Sequence, residues 1–235
     1  MTEAMATRSI HVAGVIDLAE AQLLIDCGVR YLGFPFVLDH HKEDLTTDAA
    51  AVIVSELGAR AAFFVITYLN RAEAILELCR TLSVNMVQLH GETDLEQIQL
   101  LKQEAPQLRI IKSLIVRGSN TDTLIDEVRR YEATVDSFIT DTFDPVTGAS
   151  GATGRVHDWE ISRRLVASSV RPLILAGGLN ADNVRQAIRT VRPAGVDVHT
   201  GIEGRDGRKR YDFTKRFVEE AQAGFSEIER EPEVR

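Results

Sequence analysis

The chain has 235 residues, 44% of them hydrophobic, with a formal net charge of −8. It carries enough apolar side chain for one sizeable core and is too acidic for a general nucleic-acid binder, which needs a basic face to displace counterions from phosphate. The first nine residues, MTEAMATRS, lack the apolar core of a signal peptide, and no stretch reaches the ~18 apolar residues of a membrane span. Cys27 and Cys79 have neither the count of a disulfide framework nor the spacing of a metal clip, which predicts two buried thiols in a reducing cytoplasm.

In chain order, bounded apolar runs occur at IHVA (10–13), YLGFPF (31–36), AAFFVI (61–66), MVQLH (86–90), RIIKSL (109–114), SFITD (137–141), PLILAGG (172–178) and GVDVHTG (195–201). Each is short enough for a parallel strand buried on both faces. Between them lie segments such as DLAEAQLLIDCG, TTDAAAVIVSELG, NRAEAILELCRTL and TDLEQIQLLKQEAP, with apolar residues at helical spacing and Asp, Thr or Asn at their starts. Eight such pairs predict one domain over 1–235, a single (β/α)8 barrel of the α/β class, with a doubly wound open sheet as the alternative. Residues 1–9 and the acidic stretch 225–235 read as frayed termini. No exposed apolar stripe stands out, so a monomer or a homodimer is expected.

Active sites of such barrels lie at the carboxyl ends of the strands. All six histidines fall on or near that face in this reading: His11 in strand 1, His40 and His41 after strand 2, His90 ending strand 4, His157 after strand 6 and His199 ending strand 8. A phosphate grip is expected where the loops after strands 7 and 8 meet, from Gly177, Gly178 and Asn180 ahead of a helix starting near Ala181, and from His199, Thr200 and Gly201. Glycines admit a ligand close to the backbone, and the dipole and amides at a helix start favour an anion. The long glycine-rich stretch DPVTGASGATGRVHDW (144–159) suits a loop that covers a bound ligand.

Taken together, GVRYLGFPF, VNMVQLHGE, FITDTFDPVTGASGATGRVHDW, RPLILAGGLNADNVRQAI and VRPAGVDVHTGIEG resemble the phosphoribosylanthranilate isomerase family, from about Ile10 to Ala221. The resemblance implies a cofactor-free Amadori rearrangement, aldose to ketose, on a phosphorylated small molecule in tryptophan biosynthesis. It further implies that the carboxylate ending strand 6, here Asp141, protonates the ribose ring oxygen, and that a cysteine ending strand 1 removes the C2 proton. This chain departs twice from that pattern. The family's Lys-Ile-Cys-Gly is His11-Val12-Ala13-Gly14 here, and where the family holds the anthranilate carboxylate with an arginine, residues 37–45 read VLDHHKEDL, with Lys42 as the available cation. A lysine lacks the two-pronged geometry of a guanidinium.

Both losses fall at the reacting and aryl ends, while Asp141, Asp197, the His90-Gly91 pair and the phosphate loops remain. The leading expectation is therefore an isomerase with an altered phosphorylated substrate, using Asp141 and, as replacement base on the same inward strand face as Ala13, His11. Substrate or phosphate contacts are expected from Gly177, Gly178, Asn180, Asp197, His199, Thr200, Gly201, His90 and Lys42. A second reading places a divalent metal on His11, His90, His199 and Asp141, with Asp39, His40, His41 or Asp197 nearby, for epimerase or aldolase chemistry on a sugar phosphate. A third is a catalytically silent protein that binds a phosphorylated metabolite.

Overall fold

Short parallel strands need a long return, and each amphipathic segment between the apolar runs supplies one as a helix. The computed structural model describes residues 8–37, 45–118, 120–143, 154 and 156–230. In order they form β1 (Ser9–Ala13), α1 (Leu18–Asp26), β2 (Tyr31–Phe36), α2 (Thr47–Leu57), β3 (Ala62–Thr67), α3 (Ala72–Thr81), β4 (Met86–Leu89), α4 (Leu95–Glu104), β5 (Arg109–Val116), α5 (Thr121–Tyr131), β6 (Ser137–Thr142), α6 (Trp159–Ser168), β7 (Leu173–Leu175), α7 (Val184–Val191), β8 (Gly195–Val198) and α8 (Tyr211–Arg230). Neighbouring strands are parallel and β8 pairs back onto β1, so the sheet closes and the fold is the expected (β/α)8 barrel.

The alternation of side chains along each strand divides the apolar residues into two layers. Ala13, Phe64, Ile66, Met86, Ile111, Ile139, Ile174 and Ala176 fill the barrel interior. The opposite strand faces, with Leu32, Phe34, Val65 and Val196 among them, pack against the inner stripes of the helices. Burying each such side chain contributes about 1.5–3 kcal/mol, which is why both faces of every strand read as apolar in sequence. Cys27 and Cys79 belong to this buried layer as free thiols, and burial pushes the Cys79 thiol up to about 12. No helix among the described residues is long and apolar enough to cross a membrane.

The pairing of β1 with β8 sets what meets at the seam. Ser9 stands beside Gly195, Ile10 beside Val196, His11 beside Asp197 and Val12 beside Val198. Ser9, His11 and Ala13 therefore share the inward face with Gly195 and Asp197, at successive heights along the barrel axis.

Element boundaries shift from expectation most around the last two strands. β7 ends at Leu175, β8 ends at Val198 and passes into a 3-10 turn at Thr200–Ile202, and α7 begins at Val184. The glycines and the turn chemistry after these strands end the ladder before the apolar pattern ends. The chain beyond Phe225 is also helical up to Arg230, where fraying was expected. Phe225 is buried, Ile228 packs against the core, and Glu227 pairs with Arg185 and Arg189 of α7, so a stretch that reads as charged tail is a docked helical end.

Candidate active site

Asp141 is the penultimate residue of β6, at the carboxyl mouth of the barrel. Its Oδ1 accepts the backbone N–H of Thr142 at 2.8 Å, and its Oδ2 lies 3.3 Å from Nε2 of His90. His90 follows β4, and its ring stacks on Tyr68 with centroids 4.7 Å apart. Gly91 permits this close turn, since a Cβ there would come within 3.0 Å of the Tyr68 carbonyl oxygen. Strands 4 and 6 thus bring together the carboxylate and imidazole that the sequence left 51 residues apart.

Asp197 completes the group from β8. It is 8% exposed, and its Oδ1 is buried without a hydrogen-bond partner among the described residues. Burial raises its proton affinity well above the usual carboxylate range, and the neighbouring charge of Asp141 adds to this while Lys209 opposes it. A buried carboxyl that holds its proton more tightly than usual, close enough to feel the charge of Asp141, suits hydrogen-bond donation to a ligand.

The loops after β7 and β8 pack backbone to backbone. A Cβ on Gly201 would overlap the carbonyl oxygen of Leu179 and approach Cβ of Asn180 to 3.0 Å, and Gly154 lies against Thr200. Asn180 and Asn183 organise the approach to α7: the Asn180 N–H donates to Oδ1 of Asn183 at 2.9 Å, and Nδ2 of Asn183 donates to the Gly178 carbonyl at 3.0 Å. Gly178, Asn180, Thr200 and Gly201 are therefore adjacent, as the sequence led one to expect. Gly177 has another reason to lack a side chain, because a Cβ there would strike Thr142 and come 3.1 Å from Nδ1 of His157. Gly201→Ala is expected to push the two loops apart at a cost of about 1–3 kcal/mol, the range for overpacking. That lowers Tm by roughly 2–4 °C per kcal/mol in a chain of this size. A calorimetric scan with an unchanged Tm would show that the contact carries no weight.

The structure corrects the placement of His11. Its ring is fully buried inside the barrel one layer below Ala13, bonded through Nε2 to Oγ of Ser9 at 2.9 Å and stacked on Tyr31 at 4.5 Å. Burial depresses its pKa to about 3, so it is a neutral and weakly basic ring away from the mouth rather than the replacement base. His157 is likewise a structural residue, held between Thr142 Oγ1 at 2.9 Å and Ser162 Oγ at 2.6 Å. For the metal reading on His11, His90, His199 and Asp141, the described residues contain no group of three or more His, Cys, Asp or Glu that could hold a metal ion. Asp39, His40, His41 and Lys42 lie outside the described residues, as does most of the 144–159 loop.

Sequence reasoning did not find Tyr68, which seats His90, nor the buried ion pair of Lys209 with Glu203. Lys209 Nζ donates to Glu203 Oε1 at 2.7 Å and to the Gly14 carbonyl at 3.1 Å. An aromatic residue just past a strand end is a faint signal for Tyr68; the bond from Lys209 to Gly14 spans 195 residues and leaves none.

A sequence profile described as N-(5'-phosphoribosyl)anthranilate (PRA) isomerase matches residues 10–220. N-(5'-phosphoribosyl)anthranilate isomerase 2 of Methanosarcina mazei is 35% identical over 220 residues, covering 93% of this chain and 96% of that protein. The crystal structure of phosphoribosyl anthranilate isomerase from Thermotoga maritima superposes with a TM-score of 0.78 at 28% identity, over 92% of this chain and 99% of that one. A phosphoribosyl anthranilate isomerase solved in complex with reduced 1-(o-carboxyphenylamino)-1-deoxyribulose 5-phosphate gives 0.76 at 27% identity, with the same coverage. With the profile spanning the whole barrel and the full-length relatives agreeing, the chain belongs to the N-(5'-phosphoribosyl)anthranilate isomerase family.

Proposed function

We propose that this chain isomerises a phosphorylated aminoaldose to its aminoketose, on a substrate that departs from phosphoribosylanthranilate at the aryl end. The observation that carries the reaction is the contact of Asp141 with His90 at the barrel mouth, with the charge of Asp141 felt by the buried Asp197, whose Oδ1 has no hydrogen-bond partner among the described residues. Asp141 delivers a proton to the ring oxygen as the C1–O bond breaks, leaving a protonated imine between C1 and nitrogen. Loss of the C2 proton then moves that C–H electron pair into a C1=C2 bond while nitrogen takes up the imine electrons. Proton gain at C1 and loss from the C2 hydroxyl complete the ketone. Asp197, which keeps its proton to higher pH than an ordinary carboxyl, can donate a hydrogen bond to a sugar hydroxyl meanwhile. Phosphate is assigned to the backbone around Gly178, Thr200 and Gly201, where the two loops meet.

The changed aryl end rests on the absence of arginine from residues 37–45 and on the methyl of Ala13 at the inward end of β1. The names of the curated relatives favour phosphoribosylanthranilate itself. A direct assay separates the two. Untagged protein is given phosphoribosylanthranilate and a panel of N-substituted ribosylamine 5-phosphates without the carboxylate. A carboxylate-free member is expected to be turned over at least ~10-fold better, the low end for a missing charge-assisted contact. Best turnover of phosphoribosylanthranilate would overturn the altered substrate and leave the isomerase. Binding of product analogue with no turnover of any member would establish the silent binding protein instead.

A further inference from the structure

We infer that His157 is a positioning residue for the acid: its ring ties Thr142 to α6 and so fixes the peptide that holds the Asp141 carboxyl. The inference deepens the isomerase reading above and rests on it for the role of Asp141.

The end of β6 needs such a tie on one side. Toward β5 the ladder runs to the last residues, with Asp141 beside Ile115 and Thr142 beside Val116. Toward β7 it stops at Ile139, paired with Ile174, and β7 itself ends at Leu175. Beyond that point side chains make the connection: Thr140 Oγ1 accepts the Ala176 N–H at 3.3 Å, and Thr142 Oγ1 lies 2.9 Å from Nδ1 of His157. Ile139 lies in the barrel interior, so alternation turns Asp141 to the mouth and Thr142 to the outer face, where His157 stands.

His157 is anchored on its far side as well. Its Nε2 is 2.6 Å from Oγ of Ser162, a fully buried residue at the start of α6. Asp158 caps that helix by accepting the Glu160 N–H at 2.9 Å, so the ring hangs from a fixed helix end. Gly177 leaves the space, since a Cβ there would strike Thr142 Oγ1 and lie 3.1 Å from Nδ1 of His157. Burial depresses the ring's pKa to about 4 and the charge of Asp141 opposes this, so a neutral imidazole with one N–H stands within the field of the acid. One hydroxyl therefore donates to the ring while the other accepts from it, which fixes the ring between them.

The consequence for Asp141 runs through one peptide. The Thr142 N–H donates to Asp141 Oδ1 at 2.8 Å while Oδ2 faces His90, so the direction of the carboxyl depends on where the Thr142 backbone lies. A tether on the Thr142 side chain sets that backbone, and displacing a reacting group by about 1 Å costs up to ~100-fold in rate.

Two amide substitutions separate the two bonds of the ring. Asparagine carries its amide where Nδ1 was and can keep the bond to Thr142, whereas glutamine carries its amide where Nε2 was and can keep the bond to Ser162. Each loses one bond, so both should lower Tm, and kcat is measured well below either transition. His157→Gln should lower kcat by ~10 to 100-fold on whichever panel substrate the parent turns over, and His157→Asn should stay within a few-fold of the parent. KM and the affinity for an N-aryl 1-amino-1-deoxyribitol 5-phosphate should hold within a few-fold in both. Thr142→Val, which removes the hydroxyl at nearly the same shape, should match His157→Gln, and the two together should cost no more than either alone. The Asp141 carboxyl-carbon resonance at neutral pH, read on protein without substrate, should move in His157→Gln and Thr142→Val and stay in place in His157→Asn. Equal kcat in the two His157 variants would overturn the inference, since the rate would then not follow the Thr142 bond. So would an Asp141 resonance that loss of that bond leaves unmoved. A parent chain that turns over no panel member overturns the isomerase reading, and the resonances then decide by themselves whether His157 holds Asp141.

Discussion

Asp141→Asn should reduce kcat by ~100 to 10,000-fold, the range for loss of general acid or base help, with the affinity for a phosphorylated product analogue held within a few-fold. Asparagine keeps the size of the side chain. Its Oδ1 can still accept the Thr142 N–H that now lies at 2.8 Å, and its amide still faces His90, so the mouth keeps its shape. What disappears is the proton and the charge. That charge is one cause of the raised proton affinity of Asp197, the other and larger being burial. The variant should therefore also release the Asp197 proton at a lower pH than the parent does, though still above the ordinary carboxylate range, which carboxyl-carbon NMR titration reads directly. Full turnover in Asp141→Asn would make the carboxylate structural. An unmoved Asp197 would mean that the two groups do not sense each other.

The barrel was legible because its signal is local: eight apolar runs of strand length, each followed by a helical pattern, leave few topologies. The candidate site was legible in part, for reasons specific to each residue. Asp141 and His90 end strands, and strand ends converge at one mouth, so position in the element was enough. His11 was misjudged because alternation reports which face a side chain occupies and not its height along the barrel axis. Height depends on the stagger between β1 and β8, a pairing of residues nearly the whole chain apart. The contact of His199 with Gly14 was not legible, since it is fixed by the same long-range stagger. Gly177, read as a ligand glycine, is also a glycine that packing on Thr142 and His157 requires, and the two reasons look identical in sequence. The α8 extension was hidden because Glu227 reads as tail charge until Arg185 and Arg189 of the preceding helix stand opposite it.

His11→Phe should flatten the acid side of the stability profile. In the folded chain the His11 pKa is depressed to about 3 by burial, against an ordinary value of 6.5. Between those values the unfolded chain binds a proton that the folded chain refuses. The contribution of a neutral buried His11 is thus fully present above pH 6.5 and is lost as pH falls from there toward 3, at about 1.4 kcal/mol per pH unit. Down to pH 4.5 the loss is about 3 kcal/mol, a large share of the 5–15 kcal/mol that holds a typical domain together. His157, depressed to about 4 by burial, adds a loss of the same sign, and Asp197 offsets part of both because its raised proton affinity favours the folded state as pH falls. Phenylalanine keeps a planar ring for the stack on Tyr31 and abandons the bond to Ser9, a cost of about 1 kcal/mol that does not vary with pH. Urea unfolding of parent and variant at pH 7.5 and 4.5 isolates the titrating part, since the constant cost and the other groups cancel in the double difference. That difference should be about 3 kcal/mol in favour of the variant at the lower pH. Parallel acid limbs in the two proteins would mean that His11 takes up its proton in the folded barrel, and would return it to the groups able to move a proton during turnover.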